Sequence, residues 1–191
     1  MTPADISAPH VIAFCREIEP RAEPIQTLYR PAPGAPEREC FPIVQQHANT
    51  HGGELVTGWA IWEWPGVFIE AEFHGVWRSP EGLCIDLTPR RAPYERTTFL
   101  PAPGKTFNAR QVDNIRRALV QDPDVKRYLF LHSQVFNLLN AGDLANQLGQ
   151  VMVPRKTARR LEVIQRDIAR LDMRLKRRYL TREANPARLE K

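Results

Sequence analysis

Three cysteines in 191 residues are too few, and odd in number, for a disulfide framework. Such a count fits a reducing cytosol that leaves thiols free for chemistry. No apolar run approaches the roughly 20 residues a bilayer needs, so no membrane partner is expected. The first twenty residues lack a basic stretch followed by an apolar core, which predicts no secretory signal and a cytoplasmic protein. Internal repeats of solenoid period are absent as well.

What is present is enough for a folded body. The chain is 42% hydrophobic and 26% charged, a balance that excludes wholesale disorder, and its length suits one domain with an appendage. Charge is uneven: residues 1–150 hold 14 basic and 17 acidic side chains, whereas 151–191 hold 13 basic and 5 acidic. An acidic body and a basic tail are different physical objects.

Prolines at 3, 9, 20, 24, 31, 33 and 36 interrupt the first 38 residues, leaving room for one short helix near Val11–Glu17. Residues 54–88 are rich in Trp, Val, Ile, Phe and Thr, with turns at Pro65-Gly66 and Ser79-Pro80-Glu81-Gly82. They predict antiparallel strands near 54–63, 67–77 and 83–88. Period-2 alternation places Val67, Ile69, Ala71, Phe73 and Trp77 on one face of the middle strand, and Glu70, Glu72 and His74 on the other. In the next strand it buries Leu83, Ile85 and Leu87 and turns Cys84, Asp86 and Thr88 outward, onto a face His74 can share. Register decides whether they meet.

Helical patterns resume after a proline-rich passage ending near Lys105. Val112, Ile115 and Leu119 form one stripe, a second helix runs from about Asp124 to Leu139, and Asp143 caps a short helix. From Pro154 a last helix carries Leu161, Ile164, Ile168, Leu171 and Leu175 at spacings of three and four. That is a coiled-coil-like seam suited to packing on the body or on a second copy as a homodimer. The expected fold is α+β: an N-terminal Cys-bearing helix packed on a small antiparallel β-sheet, followed by a helical C-terminal region. Its parts are a core with a proline-rich wrap over 1–105, a helical region over 106–180 ending in a basic amphipathic helix, and a flexible tail over 181–191.

Cys40 is the best candidate nucleophile. Pro42 suits a first helical turn and Gly52-Gly53 a helix end, so the thiol sits where peptide dipoles stabilise a thiolate. Cys15 and Cys84 read as packing residues. His74 is the candidate base for Cys40, and Asp86 the group that orients it.

Cys40, the Gly58-Trp59 strand, His74 within Phe73-His74-Gly75-Val76-Trp77, and Asp86 within Gly82-Leu83-Cys84-Ile85-Asp86-Leu87-Thr88-Pro89 occur in a telling order. The arrangement resembles the transglutaminase-like branch of the papain-like cysteine-enzyme superfamily, over about residues 38–90. The block from Gly52-Gly53 to Pro89 is also similar to a small family of bacterial and phage-associated proteins. The resemblance implies a Cys40 nucleophile, His74 as base and later acid, Asp86 as orienter, and no cofactor. The tryptophan stands three residues after the histidine, where the family pattern is His-x-Trp. Gln26 and the Cys40 backbone N–H are the oxyanion donors on offer.

The function expected is amide hydrolysis or acyl transfer on a peptide, protein or glutamine-like amide. Trp62, Trp64 and Glu72 are candidates for lining a substrate groove. A second reading makes the sheet a scaffold and uses Arg159, Arg166 and Arg170 of the basic helix to bind an acidic protein or nucleic acid. A third draws a metal site from Glu70, Glu72 and His74 with His47 and His51, which stand four apart on one helix face, although no recognised metal motif is present.

Overall fold

Alternating residues and the Pro65-Gly66 turn, with Gly66 at φ 67°, produce the two longest strands, β3 (Glu54–Trp64) and β4 (Phe68–Arg78). They pair as a hairpin. The structure is a computed structural model that describes residues 1–37, 39–146 and 152–183. The chain divides into two units, Met1–Pro65 with Ile69–Asn108, and Gly66–Phe68 with the residues from Ala109 onward.

The first unit adds β1 (Thr2–Pro3), α1 (Pro9–Ile18), β2 (Ile25–Tyr29), α2 (Cys40–His51), β5 (Cys84–Asp86) and β6 (Arg96–Pro101). β3 pairs β6, β6 pairs β2, β2 pairs β5, β5 pairs β4, and β4 returns to β3. The pairings therefore run in a ring. The fold is α+β, with one departure from an antiparallel sheet: β2 and β5 are parallel, with Tyr29 opposite Asp86. Closure gives β4 two covered faces. Ile69, Ala71 and Val76 are buried, and so is His74, which a one-sided sheet would turn to solvent. Val11, Phe14 and Cys15 of α1 and Val44 and Phe41 of α2 also lie in the core. Each large apolar side chain so covered contributes about 1.5–3 kcal/mol.

α2 lies on this sheet through Phe41, whose ring centroid is 5.2 Å from that of Phe73 and 4.1 Å from that of Phe107. Close approach is allowed by Gly75, where a Cβ would stand 2.8 Å from Leu55 Cδ1 and 3.1 Å from Phe41 Cδ1. The helix ends at Gly52 and Gly53, with φ of 76° and 79°, which frees the chain to turn directly into β3.

The second unit contains β7 (Ile115–Ala118), α3 (Pro123–Leu139), a 3-10 turn (Gly142–Asn146) and α4 (Arg155–Glu183). Asp122 caps α3 by accepting the Asp124 N–H at 2.8 Å. α4 packs on α3, burying Leu161, Leu171 and Leu175. The apolar seam is thus covered within the unit.

Several expectations are corrected. The Val112, Ile115, Leu119 stripe is not a helix: Ile115–Ala118 is a strand, Val112 and Ile115 are exposed, and the Leu119 N–H bonds the Val67 carbonyl. The six residues between Asp113-Asn114 and Gln121-Asp122-Pro123 are too few to sustain a helix. Leu83 is 54% exposed, because the Ser79–Leu83 turn, closed by Ser79 N–H to Leu83 O at 2.9 Å, holds it outside β5. Asp143 lies inside the 3-10 turn rather than before a helix. α4 continues to Glu183, past the expected start of the tail, and residues 184–191 of that tail lie outside the described residues.

Candidate active site

The site begins with register. Trp77 faces Ile85 and Arg78 faces Cys84, and continuing that pairing sets Val76 opposite Asp86 and His74 one diagonal step away. Side chains on diagonal neighbours can touch. His74 Nε2 is 3.0 Å from Asp86 Oδ1, with the imidazole 1% and the carboxylate 0% exposed.

Asp86 is held from several sides. Its Oδ1 also accepts the Thr88 backbone N–H at 3.0 Å, and its Oδ2 the Thr97 hydroxyl at 3.4 Å. Thr97 Oγ1 in turn lies 2.6 Å from Thr27 Oγ1. Burial alone would push the Asp86 carboxyl up, but the His74 charge, the bond to it and Arg90 hold it below its ordinary range.

Cys40 is buried at the first residue of α2 and is among the groups that raise the His74 imidazole. With Nε2 committed to Asp86, Nδ1 is the ring nitrogen left for a second partner. Burial opposes an imidazolium, yet the Asp86 carboxylate, the bond to it and Cys40 outweigh that, raising His74 to about 10. Among the described residues no side chain caps the first turn of α2, which leaves its leading N–H groups beside the sulfur.

A fourth and fifth group complete the cluster. Arg90 Nη1 donates to Glu72 Oε2 at 2.7 Å, its Nη2 lies 4.0 Å from Asp86 Oδ2, and its guanidinium stacks 4.7 Å from the Trp62 ring centroid. Trp62 Nε1 donates to the same Glu72 oxygen at 3.1 Å. Burial works against the Glu72 charge, but Arg90 and then His74 keep the carboxyl below its ordinary range. Sequence reasoning missed Arg90. No local pattern marks it, because β5 ends at Asp86 and Thr88 lies in a bend, so strand alternation does not extend to Arg90.

The remaining candidates lie elsewhere. Trp64 is buried near the end of β3. Gln26 is exposed on β2, whose buried face carries Thr27 and Tyr29, so the side chain is turned from the cluster. Cys15 is fully buried in α1 and its thiol is pushed up to about 11 by burial and then by Glu23. Burial also raises the Cys84 thiol. His47 and His51 stack at 4.1 Å, with Trp77 edge-on to His47 at 4.5 Å. Among the described residues no three His, Cys, Asp or Glu side chains are grouped to hold a metal. Arg159, Arg166 and Arg170 are exposed on α4 in the second unit, and Arg170 lies 3.6 Å from Asp167. No described helix is long and apolar enough to cross a membrane.

Comparison with protein-family models, with curated proteins and with solved structures finds no match. The chemistry therefore stands on the cluster itself. A sulfur against one imidazole nitrogen and a buried carboxylate on the other can move a proton between a nucleophile and a leaving group. The four partners of Asp86 and Arg90 fix that geometry before a substrate arrives.

Proposed function

We propose that this protein is a cysteine-dependent acyl-transfer enzyme, hydrolysing or transferring the acyl group of a peptide or glutamine-like amide, in a divergent transglutaminase-like or papain-like architecture. The observation that carries this reading is the buried His74–Asp86 pair at 3.0 Å, with Cys40 buried at the head of α2 and acting on the same imidazole. The order of helix-borne cysteine, strand histidine and next-strand aspartate supports the family resemblance.

The reacting form of the site sets a Cys40 thiolate against imidazolium His74, the pairing a nucleophilic cysteine requires. The Cys40 sulfur attacks the amide carbon, and the C=O π pair moves to oxygen, where the Cys40 N–H at the start of α2 faces the developing charge. Collapse breaks the C–N bond, and His74 Nδ1 supplies the proton that lets the amine leave. A thioester remains on Cys40. Water or an acceptor amine then attacks it, giving its proton to the now neutral His74, and the sulfur departs with its electron pair to restore the ion pair. Asp86 keeps Nε2 protonated throughout, so that Nδ1 is the nitrogen that exchanges the proton.

The test is selective alkylation. At pH 7 iodoacetamide should modify Cys40 at least tenfold faster than Cys84, and His74→Ala should remove that advantage while the far-UV spectrum stays native. A Cys40 that alkylates no faster than Cys84 in the native protein would end this reading.

A further inference from the structure

We propose that Arg90 reads the substrate, and that the amide acted on carries a free carboxylate, held by the Nε–Nη2 edge of the guanidinium beside Cys40. This deepens the cysteine-enzyme reading and rests on it.

Arg90 is fixed on one edge of its guanidinium and unpaired on the other. Nη1 is bonded to Glu72, the ring of Trp62 lies against the guanidinium plane, and the Arg90 backbone N–H donates to the Tyr29 hydroxyl at 2.8 Å. The side chain is 18% exposed. Yet Nε and Nη2 are buried with no hydrogen-bond partner among the described residues, and so is the Thr88 hydroxyl two residues earlier. Asp86 does not fill the role. Its Oδ2 accepts from Thr97 and stands 4.0 Å from Nη2, beyond hydrogen-bond length.

Two buried donors left unmade are costly, and such groups in a native protein call for a function. Nε–H and Nη2–H leave one edge of the guanidinium in parallel, the fork that matches the two oxygens of a carboxylate. A single oxyanion would engage only one of them. Nη2 lies 4.0 Å from Asp86 Oδ2, and Asp86 Oδ1 lies 3.0 Å from His74 Nε2, which sets the fork in the cluster that holds the candidate base of Cys40. With the reacting Cys40 thiolate counted, Glu72, Asp86 and Cys40 exceed Arg90 and imidazolium His74 by one negative charge, so the cluster does not draw anions in general. A carboxylate is admitted through direct contact with the fork, which favours shape over charge.

The experiment compares alkylation of Cys40 by iodoacetate and by iodoacetamide, followed by peptide mass spectrometry, with Cys84 in the same molecule as the reference thiol. In both reactions the sulfur bonds the reagent's methylene carbon and iodide leaves with the electron pair. The iodoacetate-to-iodoacetamide rate ratio at Cys40 should exceed that at Cys84 about tenfold or more, as expected for a charged bidentate contact, and the iodoacetate rate should saturate. Propionate should slow the reaction at Cys40 and propionamide should not. Arg90→Lys, which keeps the charge and loses the fork, should lower the ratio at Cys40 about tenfold.

Equal ratios at the two cysteines with no protection by propionate would overturn the carboxylate assignment while leaving the cysteine-enzyme reading intact, provided iodoacetamide still singles out Cys40. A preference that survives in Arg90→Lys would assign the attraction to His74 and overturn the role of Arg90. If Cys40 resists both reagents in the native protein, the parent reading fails and this one with it. Protection by propionate is read on the unsubstituted protein, so a variant that fails to fold leaves the proposal open to refutation.

Discussion

His74 and Asp86 are a buried ion pair whose value depends on both partners being charged. Removing the charge of one partner of such a pair costs roughly 3–5 kcal/mol. His74 is raised from an ordinary value of 6.5 to about 10. It therefore contributes stability that is fully present below about pH 6.5 and is lost as pH rises towards about 10. Asp86 is held low, so its contribution is present above its ordinary value of 3.8 and is lost on acidification. Thermal melts should show the native protein weakening from pH 7 to 10, whereas Asp86→Asn should be less stable at pH 7 and flatter across that interval. A parallel decline in the two proteins would contradict the ion pair. Of these residues, Cys40 and His74 were legible from their local setting, since a helix start and an alternating strand are short-range patterns. Arg90 was not, because its role appears only once Glu72 and Trp62 are brought to it.

At the scale of elements, the approach of α2 to β4 depends on the missing side chain at Gly75. A valine there would press on Leu55 and on Phe41, the neighbour of Cys40 in the helix. Gly75→Val is expected to cost roughly 1–3 kcal/mol in urea denaturation through overpacking, and to slow alkylation of Cys40 by shifting the helix start. Retained alkylation together with lost stability would show that Gly75 packs without positioning the thiol. In the second unit, Asp122 caps α3, accepts the Tyr179 hydroxyl at 2.7 Å and pairs with Arg178. Burial opposes its charge, but the bonds from Tyr179 and Arg178 win, lowering it to about 2. Its contribution is thus complete above about pH 4 and is lost as pH falls through about 2. Asp122→Ala should cost about 1 kcal/mol for the cap alone and remove that acid-side loss of helicity by circular dichroism. The α3 and α4 patterns were readable because helical periodicity spans many residues, whereas residues 112–119 were misread because three apolar positions fit a helix and an extended chain equally well.

Across the whole molecule, the candidate chemistry and the exposed cationic positions fall in different units. Substitutions at distant, independent sites usually act additively. Reversing Arg159, Arg166 and Arg170 to Glu should leave the Cys40 alkylation rate within about twofold of the native value, and should weaken any retention on heparin in a salt-dependent way. Loss of Cys40 reactivity in that variant would show that the two units are functionally coupled. The charge asymmetry behind this division was plain in the sequence, because counting charges requires no knowledge of the fold.

The sequence alone determined the features that arise within a few residues of each other: the cysteine at the head of α2, the glycines that end it, Glu72 and His74 on one side of β4, and the apolar seam and basic faces of α4. Tertiary structure alone decided the rest. Alternation assigns side chains to faces but does not choose a partner strand or a register, and a slip of one residue would reverse every face. The parallel pairing of β2 with β5, and the antiparallel pairing of β5 with β4, brought Asp86 within 3.0 Å of His74. Closure of the strand ring then buried that pair, and the Asp86 carboxylate set against the imidazole outweighs the cost of burial and holds an imidazolium there.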